Sequence, residues 1–181
     1  MEKNKYLQKY YYEIGIEKEF SKLLCNMTQQ DRDVILLCIG NPTINGDILA
    51  PLVGTLLEEK GLNNIYGTIK KPIDRNNIKI AYNYILNKYK APYVIVIGTS
   101  FPLDFHDDKE VIILSDTPYE LWTSYGNLKF GNVSFKAIFN LLDDYCGIDI
   151  IKEVGLGMIY KYARVIFKSI ELYLHNQYYV K

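Results

Sequence analysis

The feature that most constrains this chain is an apolar run that passes through a polar loop into a helical pattern. Residues 34–39 (Val-Ile-Leu-Leu-Cys-Ile) contain no polar side chain, which is typical of a short strand buried on both faces. Residues 40–47 then contain glycine, asparagine and proline, which form loops. Apolar side chains at helical spacing predict a helix over 47–60, and Gly61 follows as its stop.

The same two patterns, apolar runs and helical spacing, recur along the rest of the chain. Further strands are predicted at 65–69, 93–97, 111–114 and 132–140, the last with one solvent-facing side. Further helices are predicted over 16–27, about 75–90 and about 148–174. Gly155 predicts a close approach of the last helix to the sheet, and Trp122 is expected in a loop.

Strands that alternate with helices predict one α/β domain over residues 1–181. Its N-terminal arm, at about 1–12, is expected to be either an edge strand or poorly ordered. The fold class is a three-layer α/β/α sandwich with a mostly parallel central sheet. Because strands 34–39 and 93–97 are apolar throughout, we expect them to be central neighbours.

The composition narrows the possible function classes. The chain has 21 basic and 21 acidic residues, which gives no reason to expect a nucleic acid or a membrane surface as partner. Its three cysteines are widely spaced and it has two histidines, so we predict no metal site and no cofactor. Isolated cysteines, a polar N-terminus and no apolar stretch near the ~20 residues of a membrane span predict a reduced, cytoplasmic protein.

The polar loops after the two central strands predict the position of a site. In an open parallel sheet, ligands bind at the carboxyl ends of the strands. The predicted binding residues in these two loops are Asn41, Thr43, Gly46, Thr99 and Ser100. Asp47 is the one carboxylate in the first loop and the candidate catalytic residue, and the alternative interpretation is that it only caps the following helix.

The sequence contains few residues that could form a nucleophilic or a metal site. A Ser/His/Asp or Cys/His site needs a histidine beside a nucleophile, whereas no local motif surrounds His106 or His175, and both are expected at the surface. His106, Asp107 and Asp108 are adjacent in the chain, and we interpret them as a solvated acidic turn rather than a metal site. The remaining option is a pair of carboxylates, which acid proteolysis requires.

The first loop resembles the opening motif of a known family. Cys38-Ile39-Gly40, Gly46-Asp47 and the stretch Ala-Pro-Leu-Val-Gly at 50–54 look like the start of the YyaC-type sporulation proteins, which are similar to the germination protease of spores. The resemblance extends from about residue 34 to 174. Gly40-Asn41-Pro42 also resembles the hydrogenase maturation endopeptidases, but of their carboxylate and histidine metal ligands only Asp47 has a counterpart.

The resemblance implies a peptidase-like scaffold with two catalytic carboxylates on neighbouring strands. Asp47 matches the first, whereas Gly98 stands where the family has the second aspartate, and residues 154–156 lack the polar pair of the family's last helix. The chain is therefore expected to be a catalytically inactive sporulation protein that acts by binding a protein or peptide partner. The alternative is an active aspartic-type endopeptidase in which Asp104 or Asp116 replaces the missing carboxylate.

Overall fold

The computed structural model describes residues 5–28, 31–100, 110–123, 126–139 and 152–179. The helices in this part of the chain are α1 (Ile16–Met27), α2 (Leu49–Glu58), α3 (Ile78–Lys88) and α4 (Leu156–Tyr179). The strands are β1 (Tyr6–Tyr10), β2 (Val34–Cys38), β3 (Ile65–Tyr66), β4 (Tyr93–Thr99), β5 (Val111–Ser115), β6 (Tyr119–Thr123), β7 (Gly126–Phe130) and β8 (Val133–Ile138). A 3₁₀ turn, Gly46–Ile48, precedes α2.

Six of the strands form one sheet in the order β1-β5-β8-β4-β2-β3. The strands β3, β2, β4 and β8 are parallel, and β5 pairs antiparallel with both β8 and β1. The central neighbours β2 and β4 pair Val34 with Tyr93 and Cys38 with Ile97. The predicted mostly parallel sheet, with these two strands at its centre, is confirmed.

The alternation of side chains along the strands divides the core into two parts. On one face, Leu36, Ile95 and Phe135 pack with apolar side chains of α1, α2 and α4. On the other face, Leu37 and Val96 pack with α3 and with the hairpin formed by β6 and β7. Layers on both faces of the sheet confirm the predicted three-layer architecture, with a hairpin completing the second outer layer.

That hairpin is the main feature of the fold that the sequence patterns did not predict. Trp122, expected in a loop, lies in β6, and its side chain is exposed. The hairpin also changes the environment of β8, whose predicted solvent-facing side does not exist. Ser134 on that side is fully buried and only Lys136 is half-buried, because β6 packs against this part of the sheet.

Two strand positions differ from the predicted ranges. The strand predicted at 65–69 ends at Tyr66, because Gly67 takes a positive φ of 89°, which ends an extended segment. At the N-terminus, where an arm was expected over about 1–12, the residues of β1 pair along the whole length of β5. The edge-strand alternative for this segment therefore describes residues 6–10.

The last helix buries the face that its spacing predicts. The fully buried or nearly buried residues on that face are Ile159, Tyr162, Ile166, Ile170 and Tyr173. The expectation that Gly155 lets this helix approach the sheet is wrong, since a Cβ built there would meet nothing within 4 Å. Gly155 instead precedes α4 and accepts its first amide hydrogen bonds. The predicted start near residue 148 lies outside the described residues.

Close packing between α2 and the sheet fixes the position of the loop that precedes the helix. A Cβ on Gly54 would overlap the carbonyl oxygen of Gly67 and come within 3.1 Å of the sulfur of Cys38. Glycine at position 54 therefore lets α2 lie directly on β2 and the end of β3. Gly61 takes a positive φ of 82° just after α2, as its predicted role of helix stop requires.

Candidate functional site

The chain leaves β2 through a tight loop that returns to the same end of the sheet. The amide of Gly40 donates to the carbonyl of Ile73 at 2.8 Å, and a Cβ on Gly40 would overlap the carbonyl oxygen of Asp47. Only glycine allows two backbone segments to approach this closely. The approach places Asp47 beside the carboxyl end of β2.

The carboxylate of Asp47 joins this loop to the neighbouring strand. Its Oδ2 accepts a hydrogen bond from the amide of Asn41 at 2.7 Å, and its Oδ1 accepts one from the hydroxyl of Thr99 at 3.1 Å. Thr99 is the last residue of β4. Two segments predicted to contribute to one site, the 40–47 loop and the end of β4, are therefore in direct contact.

The alternative interpretation of Asp47 as a helix cap is wrong. The residue before the 3₁₀ turn is Asn45 and the residue before α2 is Ile48, and neither makes a side-chain capping hydrogen bond. Asp47 lies inside the 3₁₀ turn, and its carboxylate accepts its hydrogen bonds from outside that turn. The role of this side chain is to connect the loop after β2 to the end of β4 rather than to cap α2.

The pKa of Asp47 is raised above its ordinary value of 3.8. Burial is the largest cause, because it penalises the charged form. The hydrogen bonds from Asn41 and Thr99 and the positive charge of Arg75 lower the pKa, and the negative charge of Asp74 raises it again. Desolvation therefore outweighs the favourable interactions, and the site as a whole disfavours the charged form of this carboxylate.

Position 98, where the sequence resemblance predicts that a second carboxylate is missing, has no room for a side chain in this chain. Gly98 occupies this position in β4, and a Cβ built there would lie 2.7 Å from two ring carbons of Tyr119. Tyr119 is the first residue of the unpredicted hairpin and is 5% exposed. Its ring fills the space that a side chain at position 98 would need.

The phenol of Tyr119 completes a chain of contacts that leads to Asp47. Its hydroxyl donates to the carbonyl of Thr99 at 2.5 Å, and the hydroxyl of Thr99 in turn donates to Asp47. Burial, and after it the negative charge of Asp47, raises the pKa of Tyr119. The phenol is therefore neutral at physiological pH and acts as a hydrogen-bond donor.

Asp116, one of the two predicted replacement carboxylates, lies at the other end of the sheet. Its amide donates to the carbonyl of Lys5 at 3.1 Å, and its Oδ2 accepts from the Lys5 amide at 2.9 Å. Its charge acts on Tyr93, the first residue of β4, whereas Asp47 bonds to Thr99, the last residue. The intervening rise of β4 is about 20 Å, so the expectation that Asp116 could pair with Asp47 is wrong.

The other predicted replacement, Asp104, lies outside the described residues. A carboxylate that the sequence patterns did not single out, Asp74, lies close enough for its charge to raise the pKa of Asp47. Its Oδ1 accepts the amide of Asn76 at 2.8 Å, and its Oδ2 accepts the side-chain amide of the same residue at 3.4 Å. Both oxygens of Asp74 thus hold the turn that leads into α3.

The remaining predicted binding residues lie in three places: an exposed turn, the 3₁₀ turn and the extension of the sheet beyond β4. The side-chain oxygen of Asn41 accepts from the amide of Thr43 at 2.9 Å and from its hydroxyl at 2.7 Å, which closes a turn with Thr43 at its exposed tip. Gly46 is buried in the 3₁₀ turn. The amide of Ser100 donates to the carbonyl of Ala137 at 3.0 Å, so Ser100 continues the sheet beyond β4.

Three residues near Asp47 were missed: Asp74, Arg75 and Tyr119. The first two could have been found, because they follow a predicted parallel strand and therefore lie at its carboxyl end. The bridge between Ile39 and Ile73 brings them beside the first loop. Tyr119 gave no comparable signal, since the sequence between β6 and β7 is Ser-Tyr and lacks the Asn-Gly or Asp-Gly pair that marks tight hairpins.

Comparison with known proteins places the chain in a family. Residues 8–169 match the family described as "Protein of unknown function (DUF1256)". This chain belongs to that family. The DUF1256 chain is also 35% identical over 68 residues to the "Uncharacterized protein YyaC" of Bacillus subtilis (strain 168). That match covers 36% of this chain and 33% of the relative's length. The predicted resemblance to the YyaC-type proteins is confirmed.

Two further findings, on metal-binding groups and on membrane-spanning helices, apply to the described part of this DUF1256 protein. It contains no group of three or more histidine, cysteine, aspartate or glutamate side chains that could hold a metal ion, and the predicted lack of a metal stays a prediction. None of its described helices has the length and apolar character needed to cross a membrane.

Proposed function

We propose that this DUF1256 protein is a peptidase-like scaffold of sporulation that binds a protein or peptide partner around Asp47 and does not cleave it. The proposed compartment is the cytoplasm of the sporulating cell or the spore. One observation carries the proposal: the ring of Tyr119 fills the space above Gly98, where the germination protease that the chain resembles would need its second carboxylate.

The chemistry of acid proteolysis explains why this substitution matters. The reaction needs one carboxyl group that holds a proton and one that does not. Tyr119 is a poor replacement, because its proton is donated to the carbonyl of Thr99 and its raised pKa keeps it neutral. Asp47 alone cannot act as acid and base in the same step, and the loss of one such group costs about 10²–10⁴-fold in rate.

The groups that remain accessible around Asp47 are suited to holding a peptide. Thr43 and Arg75 are exposed, and Asn41 is half-buried. A peptide presents one N–H and one C=O group per residue, which hydroxyl, amide and guanidinium groups can bind. These side chains supply contacts for binding without supplying a second proton donor for cleavage.

The proposal is tested by measuring cleavage and binding together. Wild type and Asp47→Asn are incubated with fluorescein-labelled casein, which reports general peptidase activity, and wild type is used to select peptides from a random phage-displayed library. We expect no cleavage by either protein. We also expect the selected peptides to lose binding to Thr43→Trp, which blocks the loop, and to keep it for Lys18→Trp on α1.

Cleavage by the wild type that Asp47→Asn abolishes would contradict the proposal, as would peptides that bind Thr43→Trp and wild type equally. The first result would favour the second candidate function, an aspartic-type endopeptidase with a recruited carboxylate. The observation in its favour is the effect of Asp74 on the pKa of Asp47. In that case Asp74→Asn should abolish cleavage while leaving the protein folded.

A further inference from the structure

The charges of this chain are unevenly distributed along its length. Residues 69–90 carry six basic residues and one acidic residue, Asp74, although the whole chain has a net charge of +0. The six basic side chains are Lys70, Lys71, Arg75, Lys79, Lys88 and Lys90, and all of them are exposed. This segment contains α3 and the turn before it, so the positive charge is concentrated beside one outer helix.

The outward side of α3 is uncharged at its centre and exposes two large apolar side chains there, whereas a surface helix usually carries charge on this side. Ile78 and Ile85 face the core and are fully buried. At about 100° per residue, the opposite side presents Ile80, Asn83, Tyr84 and Asn87, with lysines on the flanks. Ile80 is 76% exposed and Tyr84 is 56% exposed. We call Arg75, Lys79, Ile80, Asn83, Tyr84 and Asn87 the α3 surface.

Contacts on the flank hold part of the α3 surface in place. The ammonium group of Lys88 lies 5.6, 5.8 and 5.0 Å from the ring centroids of Tyr66, Tyr84 and Tyr89, and it donates to the hydroxyl of Tyr66 at 2.9 Å. The hydroxyls of Tyr66 and Tyr89 are 3.0 Å apart. A side chain held in this way loses less conformational entropy when a partner binds.

The α3 surface adjoins the site around Asp47. Arg75 lies in the turn before α3, and its positive charge acts on both Asp47 and Tyr119. Within the described part of the chain, Arg75 forms no ion pair. Its exposed guanidinium group places positive charge at the point where the two surfaces meet, and this charge would attract an incoming carboxylate.

We propose that the α3 surface docks an acidic protein segment that carries an aliphatic or aromatic anchor. The inference rests on the proposed function, because it assigns the chemistry of the partner that binds around Asp47. Charge complementarity with the basic flanks selects an acidic partner, and Ile80 and Tyr84 supply an apolar contact at the centre. The amides of Asn83 and Asn87 favour a protein over a lipid surface, since a peptide backbone offers them hydrogen-bond partners and a hydrocarbon layer offers none.

The inference is tested with a fluorescein-labelled peptide of glutamate with interspersed leucine, and with a second peptide that has lysine in place of glutamate. Binding is followed by fluorescence anisotropy at low and at physiological salt. The α3 variants are Lys79→Glu on the α3 surface combined with Lys90→Glu two residues beyond the end of α3, for the charge, and Ile80→Ser, for the anchor. The matched controls are Lys18→Glu/Lys22→Glu on α1, with the same charge change at exposed positions, and Leu156→Ser, where the leucine is 69% exposed.

We expect the acidic peptide to bind wild type, less tightly as salt increases, and the lysine peptide not to bind. Each α3 variant should weaken the affinity about tenfold or more, and each control should stay close to wild type. Equal losses in variants and controls, or no binding of the acidic peptide, would overturn the inference. Vesicles of phosphatidylglycerol that bind wild type but not the α3 variants, without binding of the peptide, would also overturn it and assign this surface to a membrane.

The same samples separate this inference from the proposed function. Mass spectrometry of the peptide after incubation shows whether it has been cut. A cleaved peptide would contradict the non-catalytic function and leave the docking surface in place. An intact peptide that does not bind would contradict the docking surface and leave the proposed loss of catalysis untouched.

Discussion

The ring of Tyr119 lies directly over Gly98, so close that a Cβ on the glycine would come within 2.7 Å of two ring carbons. The two residues belong to different parts of the chain, one in a central strand and one in a hairpin on the face of the sheet. The two residues are coupled by packing. The Tyr119 ring fits only because position 98 has no side chain, and without the ring a cavity would remain above Gly98.

The first prediction follows from this dependence. Gly98→Ala should lower the free energy of unfolding by about 1–3 kcal/mol, because the added methyl group overpacks the site. In a Tyr119→Val background, where the ring is absent, the same substitution should cost close to nothing. Urea unfolding of the four proteins measures the coupling between the two positions, expected at about 0.5–3 kcal/mol. An equal penalty in both backgrounds would show that the ring can move away.

The second prediction concerns the hydrogen bonds of Asp47. Asp47→Ala should lower the free energy of unfolding by about 1–3 kcal/mol, because the amide of Asn41 loses its acceptor. Asp47→Asn should cost less, since an amide oxygen can still accept from Asn41 and the amide nitrogen can donate to the hydroxyl of Thr99. Chemical denaturation of the three proteins at neutral pH compares them. An Asn variant as unstable as the Ala variant would contradict this role.

The third prediction is the pH dependence that Asp47 gives to stability. Its pKa is raised in the folded protein, so the folded state binds the proton more tightly than the unfolded chain does. The unfolding free energy should therefore increase as the pH falls through the folded pKa, and the gain should be complete below the unfolded value near 3.8. The difference between wild type and Asp47→Asn isolates this effect, because the other carboxylates are common to both. A difference that decreases with falling pH would show that the pKa is lowered.

The fourth prediction tests the packing that positions the loop before α2. Gly54→Ala should lower the free energy of unfolding by about 2–4 kcal/mol, because its Cβ would overlap the carbonyl oxygen of Gly67. Gly157→Ala in α4 is the matched control, since a Cβ there meets nothing within 4 Å. That control should be neutral or stabilising by up to about 1 kcal/mol. Thermal and urea unfolding of both variants measure the two effects. Equal effects of Gly54→Ala and Gly157→Ala would contradict the close packing of α2 on the sheet.

The sequence predicted the parts of the fold that local patterns determine. The apolar runs of β2 and β4 and the helical spacing of α1 correspond to elements in the structure. The loop that follows β2 also lies at the predicted end of the sheet. In each case the pattern is continuous along the chain, so the information needed is present within a few residues.

The parts that were missed depend on contacts between distant residues. The raised pKa of Asp47 results from its burial by segments that no local pattern joins. The ring over Gly98 comes from a hairpin that begins 21 residues further along the chain, and the burial of Ser134 comes from the same hairpin. Local spacing predicts a strand or a helix but not the segments that pack against it. The sequence therefore predicted the position of the site but not the raised pKa of Asp47.

The fifth prediction separates the contribution of Thr99 to the site from that of burial. The hydroxyl of Thr99 donates to Oδ1 of Asp47, and this bond favours the charged carboxylate and lowers its pKa. Thr99→Val has nearly the same shape without the donor, so the pKa of Asp47 should move further upward, whereas Thr99→Ser should keep it near the wild-type value. The carboxyl carbon of Asp47, titrated by NMR in the folded proteins, reports the pKa directly. A pKa that does not change in Thr99→Val would mean that the bond has no effect on this carboxylate, and that burial alone sets its protonation.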